Sequence, residues 1–96
     1  MIVSFGDRAT SDLFHGIASA RVRGIAGEVV RIARRKLDML NAAARLDDLR
    51  APSGNRLEAL RGDMKGFFSI RVNDQWRIAF RWSGRDAHDV RLADYH

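Results

Sequence analysis

Cysteine is absent from this chain, and with it go disulfide staples and thiolate metal sites. That composition fits a reducing compartment. No apolar run approaches the length that crosses a bilayer. The N-terminal MIVSFGDRAT lacks the basic-then-apolar order of a secretion signal, so a cytoplasmic location away from membranes is the expectation. The three histidines stand in no ligand cluster, and no metal or other cofactor is expected. Internal repeats and low-complexity segments are missing as well. What remains is 96 residues with 46% hydrophobic content, the composition of one small domain spanning 1–96.

What the chain has in excess is arginine. Two of the 17 basic residues are lysine, leaving 15 arginines, and the formal charge is +5. Such a balance favours nucleic acid or another polyanion as a partner, because a guanidinium grips phosphate through two parallel hydrogen bonds. The excess is spread unevenly, about +4 over residues 1–56 and about +1 over 57–96 by side-chain count, so charge alone locates no site.

The organising stretch is FFSIRVNDQWRIAFRW, residues 67–82. Phe68, Ile70 and Val72 alternate with Phe67, Ser69 and Arg71; Trp76, Ile78, Phe80 and Trp82 alternate with Arg77, Ala79 and Arg81. Period-two alternation predicts two strands, each with one apolar and one polar face. A two-residue loop would pair Ile70 with Arg77 and mix the faces. A three-residue loop at Asn73-Asp74-Gln75 pairs Val72 with Trp76 and Ile70 with Ile78, and burial of one face selects that register. Arg71 then lies opposite Arg77. Like charges opposed across a sheet are destabilising. Either an anion is held there, or the two groups splay into water and pair with nearby carboxylates.

Elsewhere, Ile2–Phe5 is a short strand candidate, and Asp7 or Thr10 caps a brief helix carrying Leu13, Phe14 and Ile17. His15 within it reads as a surface or packing residue. Gly16 and Gly24 bracket a basic link, SARVR. A longer helix runs from Ile25 to about Ala44, with Ile25, Val29, Ile32, Ala33, Leu37 and Leu40 on one face and Arg31, Arg34, Arg35 and Lys36 mainly on the other, a solvated face or one used by nucleic acid or a protein partner. Leu46–Leu49 continues as a turn and 51–55 is a loop. Arg56–Leu60 reads as a strand, Arg61–Gly66 as a glycine-flanked turn, Ser83–Ala87 as a polar turn and His88–His96 as a last strand. Aligning Val90 and Leu92 with Phe80 and Ile78 puts Arg91 and Tyr95 on the face of Arg71 and Arg77, with Glu58 as a neighbour. The chain closes on Asp94-Tyr95-His96, a carboxylate, a phenol and an imidazole. The terminal carboxylate favours the protonated form of His96. Beside an arginine-lined face these are candidate acid–base groups.

The segment LEALRGDMKGFFSIRVNDQWRIAFRW with the terminal DYH resembles the HigB toxins of the RelE/ParE superfamily of bacterial toxin–antitoxin systems. The likeness covers about the last 40 residues closely, and MIVSF, ARRKLDMLNAA and DLRAPSGNRLEAL more loosely. It implies an α+β fold, N-terminal helices packed on a mainly antiparallel sheet in the microbial-ribonuclease-like manner. It implies a ribosome-dependent endoribonuclease that cuts messenger RNA without metal, and a helix-turn-helix antitoxin like HigA through which alone operator DNA is bound. By motif match, Arg71 and Arg77 hold the scissile phosphate, while Asp94, Tyr95 and His96 supply acid–base and positioning groups. Arg61, Lys65 and Arg91 are candidate RNA-binding residues. Some relatives carry histidine where this chain has Glu58 and lysine where it has Arg61, so Glu58 and Asp94 stand as alternative general bases. On this reading an Arg77→Ala chain folds normally and loses cleavage. Two other readings stay open: a toxin of the same fold that poisons DNA gyrase or another protein by binding, as ParE-type members do, and a basic RNA-binding module without catalysis.

Overall fold

A computed structural model describes residues 1–51 and 54–94. Three helices lead the chain: α1 (Arg8–His15), α2 (Ala20–Arg23) and α3 (Gly27–Ala42). A 3-10 turn at Leu46–Leu49 follows, and then a four-stranded sheet, β1 (Glu58–Ala59), β2 (Phe68–Arg71), β3 (Trp76–Ser83) and β4 (Asp86–Asp94), antiparallel and in sequence order. Ile2 and Phe5 add parallel bridges to Ala87 and Val90 at the β4 edge. The α+β arrangement and its mainly antiparallel sheet match the expectation. No helix among the described residues is long and apolar enough to cross a membrane.

Local chemistry explains the helix ends. The Asp7 carboxylate accepts from the Thr10 amide at 2.8 Å and so caps α1. Gly16, at φ 73, ends the helix in the left-handed conformation that only glycine adopts without strain. Ile17 therefore falls outside α1 and is 52% exposed, contrary to its expected place on the helix. Within the SARVR link, Ser19 caps the single turn α2. Thr10 Oγ1 accepts from the Leu92 amide at 2.8 Å, which docks α1 onto β4.

One core lies between the helices and one face of the sheet. Val29, Ala33, Leu37 and Leu40 of α3 bury against Ile70, Val72, Ile78, Phe80 and Val90, with Leu13 from α1 and Leu49 from the 3-10 turn. Burying each large apolar side chain contributes roughly 1.5–3 kcal/mol. Lys36 does not join the solvated arginine face: it is 5% exposed. Its spacing explains this, since Val29, Ala33, Lys36 and Leu40 follow the three- and four-residue steps of one helix stripe. Its Nζ donates to Asn55 Oδ1, and Asn55 Nδ2 in turn donates to the Leu49 carbonyl at 3.1 Å.

The central register is the one that alternation demands. Ile70 pairs with Ile78, Arg71 with Arg77, and the Val72 amide donates to the Trp76 carbonyl at 2.9 Å. β1 covers only Glu58–Ala59 of the expected 56–60 strand. The Ser83–Ala87 turn is tighter than expected: Ser83 pairs with Asp86, so β4 begins before His88. Leu92 aligns with Ile78, but Phe80 faces both Asp89 and Val90, because Ala79 pairs with Arg91 and Arg81 with His88. This is a β-bulge, with Asp89 at φ 53 as the extra residue.

Candidate active site

The sheet face away from the helices carries three cross-strand rows. Arg71, Arg77 and Ala93 form one; Glu58, Ser69, Ala79 and Arg91 form the next; Arg81 and His88 lie beyond. Arg91 thus shares the face of Arg71 and Arg77, as expected. The two opposed arginines avoid each other by different means. Arg71 Nη2 reaches the Asp74 carboxylate at 2.5 Å, and Asp74 is 98% exposed. This guanidinium, first by hydrogen bonding and then by its charge, holds the Asp74 carboxyl below the usual aspartate range.

Arg77 turns inward along the sheet. Its Nε donates to Ser69 Oγ at 2.7 Å and its Nη2 to the Arg56 carbonyl at 2.6 Å. Arg56 sits at φ 44, an uncommon conformation for a side-chain-bearing residue, and in it offers that carbonyl to Arg77. Glu58 Oε2 stands 4.0 Å from Arg77 Nη2, and the Arg77 side chain is 15% exposed. Arg77 therefore ties the β1 edge to β2 and β3. An Arg77→Ala change removes these ties as well as a cation.

The Asn55 carbonyl accepts from the Arg71 amide at 2.6 Å, extending the sheet edge beyond β1. Lys36 reaches the same asparagine from the core side. Burial, with the charges of Arg35 and Arg71 adding to it, pushes the Lys36 ammonium below the ordinary lysine range.

Asp94 pairs in register with Trp76, in the row adjoining Arg77 and Ala93, and its Oδ2 accepts from Gln75 Nε2 at 2.9 Å. Alternation thus assigns Asp94 to the Trp76 side of the strand, whereas Glu58 shares the arginine face. Tyr95 and His96 lie outside the described residues. Arg61 and Lys65 flank the 3-10 turn Gly62–Met64, at the end of β2 remote from Arg71. The structure thus gathers Glu58, Arg71, Arg77 and Arg91 and keeps Arg61 and Lys65 at the other end of the face. Among the described residues, no three histidine, aspartate or glutamate side chains converge as metal ligands do.

Sequence reasoning missed Ser69, Arg56 and Asp74, which orient the two arginines, and Asn55, which links Arg71 to Lys36. Only Asp74, in a turn beside Arg71, had a readable signal. A groove of about 460 Å³ on α3, lined by Arg31, Arg34, Arg35 and Asp38, is not part of this face. His15 packs its ring against Phe5 and Phe14, in keeping with a packing role.

A family described as the RelE-like toxin of the type II toxin–antitoxin system HigB matches residues 4–96. The chain is 40% identical over 82 residues to Toxin HigB-1 of Vibrio cholerae serotype O1, covering 85% of this chain and 84% of that one. It is 31% identical over 97 aligned positions to the Endoribonuclease HigB of Proteus vulgaris, covering 100% of both. In fold it resembles a YafQ mutant from E. coli, with a TM-score of 0.62, 14% identity and coverage of 98% of this chain and 91% of that one. It also resembles the YoeB–YefM complex from Staphylococcus aureus, with a TM-score of 0.61, 12% identity and coverage of 100% and 98%.

Proposed function

The chain belongs to the RelE-like HigB toxins of type II toxin–antitoxin systems, and from that premise we propose that it is an endoribonuclease that cuts messenger RNA on the ribosome. The observation that carries this reading is the pairing of Arg71 with Arg77 on the open sheet face, with the Glu58 carboxylate 4.0 Å from the latter. The name of the Proteus vulgaris relative, Endoribonuclease HigB, which aligns with this chain over its whole length, supports it. An antitoxin is the partner that the family implies. We assign it as a HigA-like helix-turn-helix protein that also carries the pair to operator DNA.

The chemistry requires no metal. The ribose 2′-oxygen attacks the adjacent phosphorus, the O2′–P bond forms and the P–O5′ bond breaks. The products are a 2′,3′-cyclic phosphate and a free 5′-hydroxyl. Two fixed guanidinium groups meet the negative charge that builds on the phosphorane, and donors held in place before reaction are worth most there. Glu58 is the better of the two base candidates, since it shares the face of Arg77, whereas Asp94 pairs opposite Trp76. His96 is the acid that protonates the leaving O5′, and Tyr95 orients or stacks. Arg61, Lys65 and Arg91 bind the flanking message.

Arg71→Gln tests the reading more cleanly than Arg77→Ala, because the Arg71 side chain is tied to an exposed turn rather than to the sheet. Message 5′ ends are mapped in a translating extract, and the thermal midpoint is measured alongside. The expected result is a midpoint lowered only by the loss of the exposed Arg71–Asp74 pair, with cleavage down about 100-fold, the usual loss for one transition-state donor. Full cleavage by Arg71→Gln would remove the phosphate role. Intact messages with trapped, cleaved DNA would instead identify gyrase as the target.

A further inference from the structure

Arg81 and His88 of the third row have no part in the chemistry above, yet with Arg91 of the row before they form a built feature. Phe67 is buried on this face, and two guanidinium groups stand over its ring, Arg81 at 4.9 Å and Arg91 at 5.4 Å from the centroid. Arg91 Nε is buried without a hydrogen-bond partner, and among the described residues Arg91 makes no ion pair. Gly6 leaves the room it occupies: a Cβ there would meet Arg91 Nε at 2.5 Å and Nη2 at 2.7 Å. Arg81 also lines a cavity of about 370 Å³, with Gly66, Trp82, Ser83, His88 and Asp89. One carboxylate, Asp89, lies 3.6 Å from Arg81, and both side chains are half exposed, so their attraction is screened. Arg81 and Arg91 thus share one ring, with the exposed Asp89 carboxylate beside Arg81.

Arg81 follows Arg77 by four residues on the same strand, about 13 Å along the face. We infer that Arg81, Arg91 and His88 form a second phosphodiester subsite, which holds the message strand beyond the scissile link and runs it along the sheet from the Arg71–Arg77 pair. The inference rests on the nuclease reading and adds to it a direction for the strand and three binding groups, of which Arg81 and His88 line the cavity. Arg91 supplies a charge with its Nε buried, Arg81 an exposed one, and the His88 ring a hydrogen-bond donor.

The test uses the full chain freed of its antitoxin, with two variants. Arg81→Gln/His88→Gln removes exposed groups. Gly6→Ala keeps every charge but displaces the Arg91 guanidinium, a flexible end that can move without unfolding the chain. In a translating extract, each variant is expected to need about 10-fold more toxin for half-cleavage while reaching the wild-type rate at saturation. The message and ribosomal RNA offer the same phosphodiester, so binding is measured separately on a labelled 2′-O-methyl oligonucleotide and on ribosomes without message. On the oligonucleotide, the variants should lose affinity, and their slope of log affinity against log salt should fall by about 0.7 per lost phosphate contact. Wild-type half-cleavage and salt slope in both variants would overturn the subsite alone. Weakened ribosome binding with unchanged oligonucleotide affinity would overturn it in favour of ribosomal RNA. If the wild-type chain cuts no message, the nuclease reading falls first and the subsite with it.

Discussion

Ile70, Ile78 and Leu92 form one cross-strand row of the sheet; Arg71, Arg77 and Ala93, each a single residue away along its strand, form a neighbouring row. The first row faces α3 and is closed by the protein itself. The second faces outward, and its two cations find what the chain can spare: an exposed aspartate for Arg71; a serine, a backbone carbonyl and, at 4.0 Å, the Glu58 carboxylate for Arg77. The same backbone thus carries a face that is complete on its own and a face that a ligand anion would complete. Changes on the first should be read in stability, and changes on the second in binding and rate.

The largest expected effect lies on the closed face. Phe80 is fully buried and central to the core, so Phe80→Ala should cost about 3–5 kcal/mol, by lost transfer energy plus a cavity. Urea denaturation measures it. Cleavage should fall only in proportion to the folded fraction, in contrast to Arg71→Gln, which spares folding and lowers the rate. Should Phe80→Ala lose activity while fully folded, the division between the two faces would be wrong.

Asn55 sits where the two faces meet, and there the comparison can be sharpened. It accepts from Lys36, donates to the Leu49 carbonyl and offers its own carbonyl to the Arg71 amide. Asn55→Leu strands the Lys36 ammonium and the Leu49 carbonyl and should cost about 1–3 kcal/mol. Adding Lys36→Met should recover part of that loss, because removing both partners of a buried pair costs less than orphaning one. A double-mutant cycle reads the coupling, and strict additivity would mean that the contact contributes nothing.

How legible the molecule is from its sequence follows the same division. The hairpin register could be read because alternation over residues 67–82 leaves one pairing that keeps the faces apart, and the opposition of Arg71 and Arg77 follows from it. Lys36 was misread because charge outweighed spacing. A lysine on the apolar stripe of a helix can be buried when a single polar partner meets its tip, and that partner, Asn55, comes from a distant loop. The Asp89 bulge had no readable mark, since aspartate tolerates positive φ without requiring it. The tie from Arg77 to Arg56 depends on a carbonyl, and carbonyls are the same at every position of a sequence.

The smallest expected effect concerns Asp74, and it discriminates most finely between a face complete in itself and one awaiting an anion. If the Asp74 carboxylate stands in for a phosphate oxygen at Arg71, then Asp74→Asn frees the guanidinium, and a 2′-O-methyl oligonucleotide should bind a few-fold more tightly. The gain should fade as added salt screens an exposed pair. If Asp74 instead aims Arg71 at the message, the same change should weaken binding. The stability consequence has a fixed sign. Arg71 lowers the folded-state pKa of Asp74, so the pair stabilises the fold above the ordinary aspartate range. That contribution is lost as pH falls through the lowered value. Wild type should therefore exceed Asp74→Asn in stability at neutral pH, and the gap should close in acid. A gap that stays constant down the acid limb would mean that the Arg71–Asp74 contact is not an ion pair in solution, and Arg71 would then be open to phosphate without any competitor.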